Sequence, residues 1–201
     1  MIIKNKEQLR DIYAQPKGRS VAKQMSSLEK HSRRFIELSP FMILASHGKT
    51  GLVDASPRGG APGFVTILSE KRLLIPDSKG NNRLDGLTNI IETGRVGMIF
   101  MIPGVDETLR VNGNAVVSND PDLLGLFSTE KNPPKTVIDV EPLEVYLHCA
   151  KAFMRSRLWS MDAQISRNGL PTMARMINDQ TGSNYDEESQ ESMIKRYQAD
   201  L

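Results

Sequence analysis

Residues 74–90, near the middle of the chain, combine residue types that can hold a phosphate group. An apolar run ends here, a turn rich in glycine and asparagine follows, and an amphipathic segment begins directly after the turn. The turn and polar residues concerned are Pro76, Asp77, Gly80, Asn81, Asn82 and Arg83. Freed backbone N–H groups, side-chain amides and a guanidinium near a helix start form an anion-binding donor set, and the fork of Arg83 matches phosphate oxygens. The stretch predicts a phosphate-bearing ligand.

The same stretch has a simpler interpretation that stays open on local evidence. Glycine, asparagine and aspartate are also the ordinary residues of turns and helix caps, so a segment of this kind, taken alone, is a plain capped turn more often than not. It is neither a Walker P-loop nor the glycine fingerprint of dinucleotide-binding folds. Other parts of the chain must therefore support the phosphate hypothesis.

Bulk composition describes an ordinary globular chain. The 201 residues are 39% hydrophobic, enough for one domain with a substantial core. The formal net charge of +2 arises from 26 basic and 24 acidic residues spread along the chain, and aromatic residues make up only 5%. Because no basic block is interleaved with aromatic residues, nucleic-acid binding is not expected.

Cysteine and histidine usage excludes several kinds of site. Cys149 is the only cysteine, so the chain cannot form an internal disulfide or a cysteine-based zinc or iron–sulfur site. The three histidines, His31, His47 and His148, have no spacing typical of a metal site or a catalytic triad. We therefore expect no metal and no dedicated catalytic acid, base or nucleophile.

Targeting signals are not evident in the sequence. Residues 1–7 carry charge where a signal peptide needs an apolar core, and no segment reaches membrane-spanning length without charge. We expect a cytoplasmic protein that does not contact a membrane.

The pattern of apolar residues predicts a β-rich centre between helical ends. Helical spacing between residues 6 and 38, interrupted near Pro16 and Gly18, predicts two helices. Short apolar runs separated by turns then predict antiparallel strands of a sandwich or barrel. These runs are residues 41–46, 52–55, 64–68, 72–75, 96–102, 108–117 and 136–147, with short helices at 83–92 and from 120.

Helical signals return after Cys149, at residues 150–158, 171–178 and 186–197. We predict an α+β protein, mainly β with helical ends, in a single domain over residues 1–201. Its parts would be N-terminal helices at 1–39, a barrel at 40–148 and a C-terminal helical extension at 149–201.

Three further segments, residues 54–60, 107–113 and 155–159, each place an arginine at or beside the end of a predicted element. Any one of these arginines alone would be typical of a surface salt bridge. The ordered series Asp-Ala-Ser-Pro-Arg-Gly, Pro-Asp-x-x-Gly-Asn-Asn-Arg and Glu-Thr-Leu-Arg-Val-Asn-Gly resembles the pyridoxamine 5'-phosphate oxidase-like flavoproteins of the FMN-binding split β-barrel superfamily. The resemblance covers residues 41–159 and is strongest to the branch of predicted flavin-nucleotide-binding proteins.

That resemblance implies an antiparallel split β-barrel and a homodimer with FMN in a groove at the subunit interface. The phosphate would be held by Arg58 and Arg83, with Asn81 and Asn82 alongside. The true oxidases close with a C-terminal strand carrying a tryptophan and an Arg-Leu pair, whereas this chain continues into helices from residue 171. Pyridoxamine phosphate is therefore a doubtful substrate.

The resemblance also suggests contacts to the rest of the cofactor. Pro76 and Asp77 would approach the ribityl chain and the isoalloxazine edge, mainly through backbone groups, and Thr108 and Arg110 would help bind the ring or the phosphate. Trp159, the only tryptophan, resembles an aromatic residue near the flavin in this superfamily. A packing residue with a satisfied indole N–H is the open alternative for Trp159.

Three functions follow from these expectations. The first is an FMN-dependent oxidoreductase that transfers hydride to or from an unidentified small molecule. The second is a non-catalytic carrier or sensor on the same barrel, for a flavin or for haem or a deazaflavin, because a fold does not settle an activity. The third is a structural or protein-interaction domain whose arginines form surface ion pairs.

Overall fold

A computed structural model describes residues 2–200, and its centre is an antiparallel sheet. The strands are β1 (Phe41–His47), β2 (Val53–Gly59), β3 (Thr66–Ser69), β4 (Arg72–Pro76), β5 (Arg95–Met101), β6 (Thr108–Ser118) and β7 (Val137–His148). In the described residues they pair in the order β2-β1-β5-β6-β7-β4-β3, every neighbour antiparallel.

Helices flank the sheet in the chain order that the sequence predicts. They are α1 (Lys6–Ile12), α2 (Arg19–Ala22), α3 (Lys30–Leu38), α4 (Asp85–Thr93), α5 (Pro121–Gly125), α6 (Lys151–Ser156), α7 (Met173–Thr181) and α8 (Gln190–Gln198). The N-terminal segment thus forms three short helices where two were expected, because residues 23–29 leave the helical conformation and Met25 bridges to Val145 of β7. None of the helices within residues 2–200 has the length and apolar character needed to cross a bilayer.

The larger of the two buried clusters shows that the sheet curls around an interior. Met42 and Leu44 of β1 belong to the same buried cluster as Leu73 and Ile75 of β4, although the two strands are separated by three others in the sheet. Since alternate side chains of a strand point to opposite faces, this requires one face of the sheet to wrap inward. Ile36 of α3 and the Leu87 and Ile90 side chains of α4 join that cluster. The predicted barrel architecture is confirmed.

Strand β2 extends beyond the predicted residues 52–55 and contains the whole Asp-Ala-Ser-Pro-Arg motif. Proline cannot donate to a ladder, which argues against a strand in the sheet interior, but an edge strand tolerates it. Within the described chain β2 pairs only with β1, and Pro57 faces Ile43 there. Edge position thus allows the strand to run through Pro57 and to carry Arg58.

Candidate functional site

A cavity of about 430 Å³ opens between β2, the loop that follows β4, the start of α4 and the loop before β7. Five of the residues predicted to bind the cofactor line it: Arg58, Asp77, Asn81, Asn82 and Arg83. Segments that are about twenty residues apart in sequence therefore meet at one concave surface. The arginine of β2 and the glycine- and asparagine-rich turn share the cavity, as the phosphate hypothesis requires.

Arg58 lines this cavity and contains a hydrogen-bond donor that is not used within the protein. Its Nε is buried and has no hydrogen-bond partner among the described residues, while its Nη1 donates to the adjacent Pro57 carbonyl at 3.3 Å. Its Nη2 lies 3.7 Å from Asp77 Oδ1, beyond ordinary hydrogen-bond length. A buried donor without a partner costs about 1–3 kcal/mol. Because Nε has almost no exposed surface, the guanidinium would have to turn before a ligand in the cavity could bond to this atom.

Asp77 is the acidic group that faces Arg58. Burial raises the pKa of the Asp77 carboxyl, and the nearby Arg58 guanidinium offsets only part of that rise. The Asp77 N–H donates to the Thr136 carbonyl at 3.0 Å, so its backbone donor is already used within the protein. The Asp77 side chain is 22% exposed and is the part of this residue that the cavity can offer to a ligand.

Replacing Asp77 by asparagine is expected to stabilise the fold at neutral pH and to change its pH dependence. The pKa of the Asp77 carboxyl is raised in the native state, so the native state binds this proton more tightly than the unfolded state does. The resulting contribution to the unfolding free energy is lost as pH rises through the native pKa, which lies above the ordinary 3.8. The difference between D77N and wild type should therefore shrink as pH falls to 3.8 and below. Urea unfolding at a series of pH values measures it.

Asp11→Asn is the matched control for this prediction, because Asp11 lies on the exposed helix α1. It should change the unfolding free energy at neutral pH by less than about 0.5 kcal/mol. A D77N protein whose unfolding free energy stays below that of wild type by the same amount at every pH would contradict the assignment.

The loop between β4 and α4 carries the other basic group. Asn82 adopts a left-handed conformation with φ 60°, and the Arg83 N–H donates to Asn81 Oδ1 at 3.0 Å. The Arg83 side chain is 78% exposed and donates through Nε to Asp85 Oδ2 at 2.6 Å. Arg83 thus lies two residues before the first residue of α4, and its position depends on Asp85.

Gly86 explains how α4 approaches β2 closely enough to form the cavity. A Cβ at this position would lie 3.1 Å from the Asp54 carboxylate and 3.8 Å from the Ser46 hydroxyl. Asp54 is itself held by a 2.8 Å hydrogen bond from the Ser56 hydroxyl. The absence of a side chain at Gly86 lets the first turn of α4 pack against the strand, which places Arg83 and Arg58 on the same cavity.

The remaining predicted site residues lie outside the lining of this cavity. Pro76 is buried at the end of β4, opposite Val137. Thr108 and Arg110 are on β6, and the strand register separates Arg110 from Arg58. Arg58 is opposite the core residue Met42, whereas Arg110 is opposite Ile99, which lies on the outer face of the sheet. The two arginines therefore belong to opposite faces.

Arg110 belongs to a second cluster of polar groups on that outer face. Its guanidinium lies 5.8 Å from the centre of the Tyr146 ring, and Lys23 Nζ lies 5.3 Å from the same centre. The His148 ring is tilted against the Tyr146 ring, with 5.1 Å between their centres. Burial lowers the pKa of His148, and the charges of Lys23 and Arg110 lower it further. This outer-face cluster is electropositive even with a neutral imidazole.

Trp159 is satisfied within its own surroundings. The indole N–H donates to the Val105 carbonyl at 2.9 Å, and the ring stacks on Phe153 at 5.4 Å. Both contacts are those expected of a packing residue, and Trp159 does not line the cavity. Trp159 could contact a flavin only outside the lining of this cavity.

Several cavity residues were not predicted from the sequence: Ser56, Lys79, Gly86, Asn132 and Lys135. Ser56 had a usable signal, because it is two residues from Arg58 on the same strand and so shares its face. Asn132 and Lys135 come from a loop about fifty residues away, and no local pattern marks them. Within residues 2–200 no cluster of three or more histidine, cysteine or acidic side chains is arranged to hold a metal ion.

The chain is similar to known proteins in sequence and in fold. The family model described as pyridoxamine 5'-phosphate oxidase matches residues 28–149. Among solved structures, a variant of HupZ from Group A Streptococcus is 12% identical with a TM-score of 0.50, over 60% of this chain and 98% of its own. This likeness concerns the fold alone. No curated protein sequence matches the chain.

Two further solved structures resemble this chain more weakly. An FMN-binding protein from Syntrophomonas wolfei is 9% identical with a TM-score of 0.43, over 58% of this chain and 88% of its own. General Stress Protein 26 from Bacillus anthracis is 13% identical with a TM-score of 0.41, over 57% of this chain and 88% of its own. The family match ends at residue 149, before α6, α7 and α8.

Proposed function

This chain belongs to the pyridoxamine 5'-phosphate oxidase family, and from that premise we propose that it binds FMN and uses the flavin to oxidise or reduce a small molecule. The observation that carries the proposal is the convergence of Arg58, Asn81, Asn82 and Arg83 on one cavity. Their donors are of the types that bind a phosphate dianion, and Arg58 has a buried N–H that no described residue satisfies. The residues present fit the phosphate of FMN.

The size and charge of the cavity support the same ligand. A volume of about 430 Å³ lies in the range of small-molecule sites, which is about 300–1,000 Å³. Lys135 adds positive charge to that of the two arginines, whereas Lys79 is paired with Asp200 and Asp77 is the acidic residue of the lining. A ligand with two negative charges at one end would therefore be attracted at that end.

The chemistry of the reaction would come from the flavin, which transfers hydride at its ring when bound. The residues of this chain would bind and orient it. Arg58 and Arg83 would fix the phosphate, and Asn81 and Asn82 would add amide donors. Pro76, the last residue of β4, and Asp77 after it would lie along the ribityl chain. No acid or base from the protein is required for hydride transfer itself.

A homodimer would explain why the predicted residues divide between two faces of the sheet. We propose that Thr108 and Arg110 reach the cofactor held by a second copy of the chain, and that Trp159 does the same. The outer face also carries the apolar side chains of Ile43 and Ile99, which are only half-buried in one copy. Burial of this face against a second copy would cover apolar area and bring the electropositive outer-face cluster to an anionic ligand.

The visible absorption spectrum of freshly purified protein tests the proposal. A bound flavin gives a yellow protein, and apoprotein should acquire the same spectrum on addition of FMN. Anaerobic addition of NADH or NADPH then distinguishes an oxidoreductase, whose flavin is bleached, from a carrier or sensor, whose flavin is not. A haem or deazaflavin spectrum would identify the corresponding binding module.

A colourless protein with no thermal shift on FMN addition would contradict the proposal. A ligand that binds only the native state must stabilise it, so the absence of a shift at saturating FMN means absence of binding. That result would favour a structural or protein-interaction domain, in which Arg58 and Arg83 serve only their pairs with Asp77 and Asp85.

A further inference from the structure

Most of the positive charge around the cavity of about 430 Å³ is already paired with carboxylates. The cations that line this cavity are Arg58, Lys79, Arg83 and Lys135. Three of them form ion pairs, which are Arg58–Asp77 at 3.7 Å, Lys79–Asp200 at 2.6 Å and Arg83–Asp85 at 2.6 Å. Within residues 2–200 Lys135 forms no ion pair. Four cations and three carboxylates leave a net charge of +1.

A phosphate monoester has more negative charge than this cavity neutralises. The group carries about two negative charges at a pH above its second pKa, which is about 6. Negative charge that is left without compensation in a partly buried site is costly, because it has lost part of its hydration. A net charge of +1 leaves one charge of the dianion without compensation. One additional proton in the complex would supply it.

Asp77 is the carboxyl group best placed to carry that proton. Its Oδ1 lies 3.7 Å from Arg58 Nη2, so a phosphate that is bound by the Arg58 guanidinium would lie beside this carboxylate. No described residue donates a hydrogen bond to the Asp77 carboxylate, whereas Asp85 and Asp200 each lie 2.6 Å from their cations. The Asp77 side chain is also the least exposed of the three, at 22% against 53% and 42%.

The other charged groups around Asp77 come from every element that borders the cavity. They are Arg58 on β2, Lys79 and Arg83 in the loop after β4, Asp85 in α4, Lys135 in the loop before β7 and Asp200 after α8. Asp54 on β2 adds further negative charge near Arg83. Burial raises the pKa of Asp77, and the Arg58 guanidinium offsets part of that rise. A phosphate dianion beside Asp77 would repel its carboxylate and so favour the protonated form.

We propose that Asp77 takes up one proton from the solvent when a phosphate monoester binds in this cavity. This inference rests on the proposed function, which places the phosphate of FMN beside Arg58. The complex then holds one proton between the Asp77 carboxyl group and the phosphate. A protonated carboxyl no longer repels the ligand and can donate a hydrogen bond to a phosphate oxygen. No covalent bond of the ligand changes, and the proton is the only group transferred.

Calorimetric titration of FMN into the full-length protein, in buffers of different ionisation enthalpy, counts the protons taken up. At about pH 8 the free carboxyl and the free phosphate are both ionised, so wild-type protein should take up about 0.5–1 proton for each FMN bound. By linkage, the dissociation constant of FMN should rise about three- to tenfold between about pH 7 and pH 8.

Asp77→Asn removes the group that takes up the proton. This variant should take up fewer than about 0.2 protons at about pH 8, and its affinity for FMN should change less than about twofold from pH 7 to pH 8. Asp77→Ala, which also lacks the carboxyl group, should give the same proton count. Asp11→Asn is the matched control, because Asp11 is exposed on α1 and does not line the cavity. It should take up as many protons as wild type.

Two results would overturn this inference and leave the proposed function standing. One is FMN binding to wild-type protein with no uptake of protons. The other is an uptake by Asp77→Asn and Asp77→Ala that equals that of wild type, since another group would then take up the proton. Failure of FMN to bind the wild-type protein would overturn the proposed function as well.

Discussion

Replacing Arg58 by alanine is expected to weaken FMN binding about 100-fold. Charge-assisted hydrogen bonds are worth about 1.5–3 kcal/mol each, and Arg58 can offer a phosphate more than one of them. The residue is also half-buried, with 24% of its side chain exposed, so water would not replace the lost donors fully. Quenching of flavin fluorescence in a titration of each protein gives the two dissociation constants.

Two variants sharpen this experiment. Arg58→Lys keeps the charge without the planar fork and should give an intermediate loss of affinity. Arg34→Ala is the matched control, because Arg34 is 65% exposed on α3 and pairs with Glu37 away from the cavity. FMN affinity that is unchanged in Arg58→Ala would remove this arginine from the phosphate site.

Replacing Gly113 by alanine is expected to destabilise the fold by about 3 kcal/mol or more, because the new methyl group would clash with backbone atoms of the neighbouring strand. A Cβ on Gly113 would lie 2.2 Å from the Glu141 carbonyl oxygen and 3.0 Å from its carbon. Gly113 is at the irregularity in the pairing of β6 with β7, strands that supply several core residues. Thermal unfolding should show a midpoint lowered by about 6–12 °C.

Gly125→Ala is the control for that experiment. Gly125 is in α5 and has nothing within 4 Å of a Cβ, so alanine should be neutral or stabilising by up to about 1 kcal/mol. If G113A and the wild-type protein have the same midpoint of thermal unfolding, the pairing of β6 with β7 at Glu141 differs from the one described.

Much of the fold was accessible from the sequence because its signals are local. The apolar runs at residues 72–75 and 108–117 coincide closely with β4 and β6, since turn residues bound each run and fix its length. The boundaries of β2 were missed for a physical reason. Proline usually argues against a strand, and only the edge position of β2, a property of the whole sheet, removes that objection.

The candidate site was predictable in its residue types and not in its arrangement. The arginine and asparagine residues predicted a phosphate ligand before their positions in the fold were known, and Arg58 and Arg83 do line the same cavity. The separation of Arg110 from Arg58 depends on strand register, which fixes the face of every side chain and is set by pairing across the sheet. The closeness of α4 to β2 at Gly86 and the placement of α8 beside the loop likewise arise from contacts between distant segments.

The measurement that tests the central claim most directly compares the affinities of FMN and riboflavin for the wild-type protein. The two ligands differ only in the phosphate group, which is the group assigned to Arg58, Asn81, Asn82 and Arg83. FMN should bind at least about 100-fold more tightly, and Arg58→Ala should remove most of that advantage while leaving riboflavin affinity unchanged. Equal affinities for FMN and riboflavin in the wild-type protein would contradict the account.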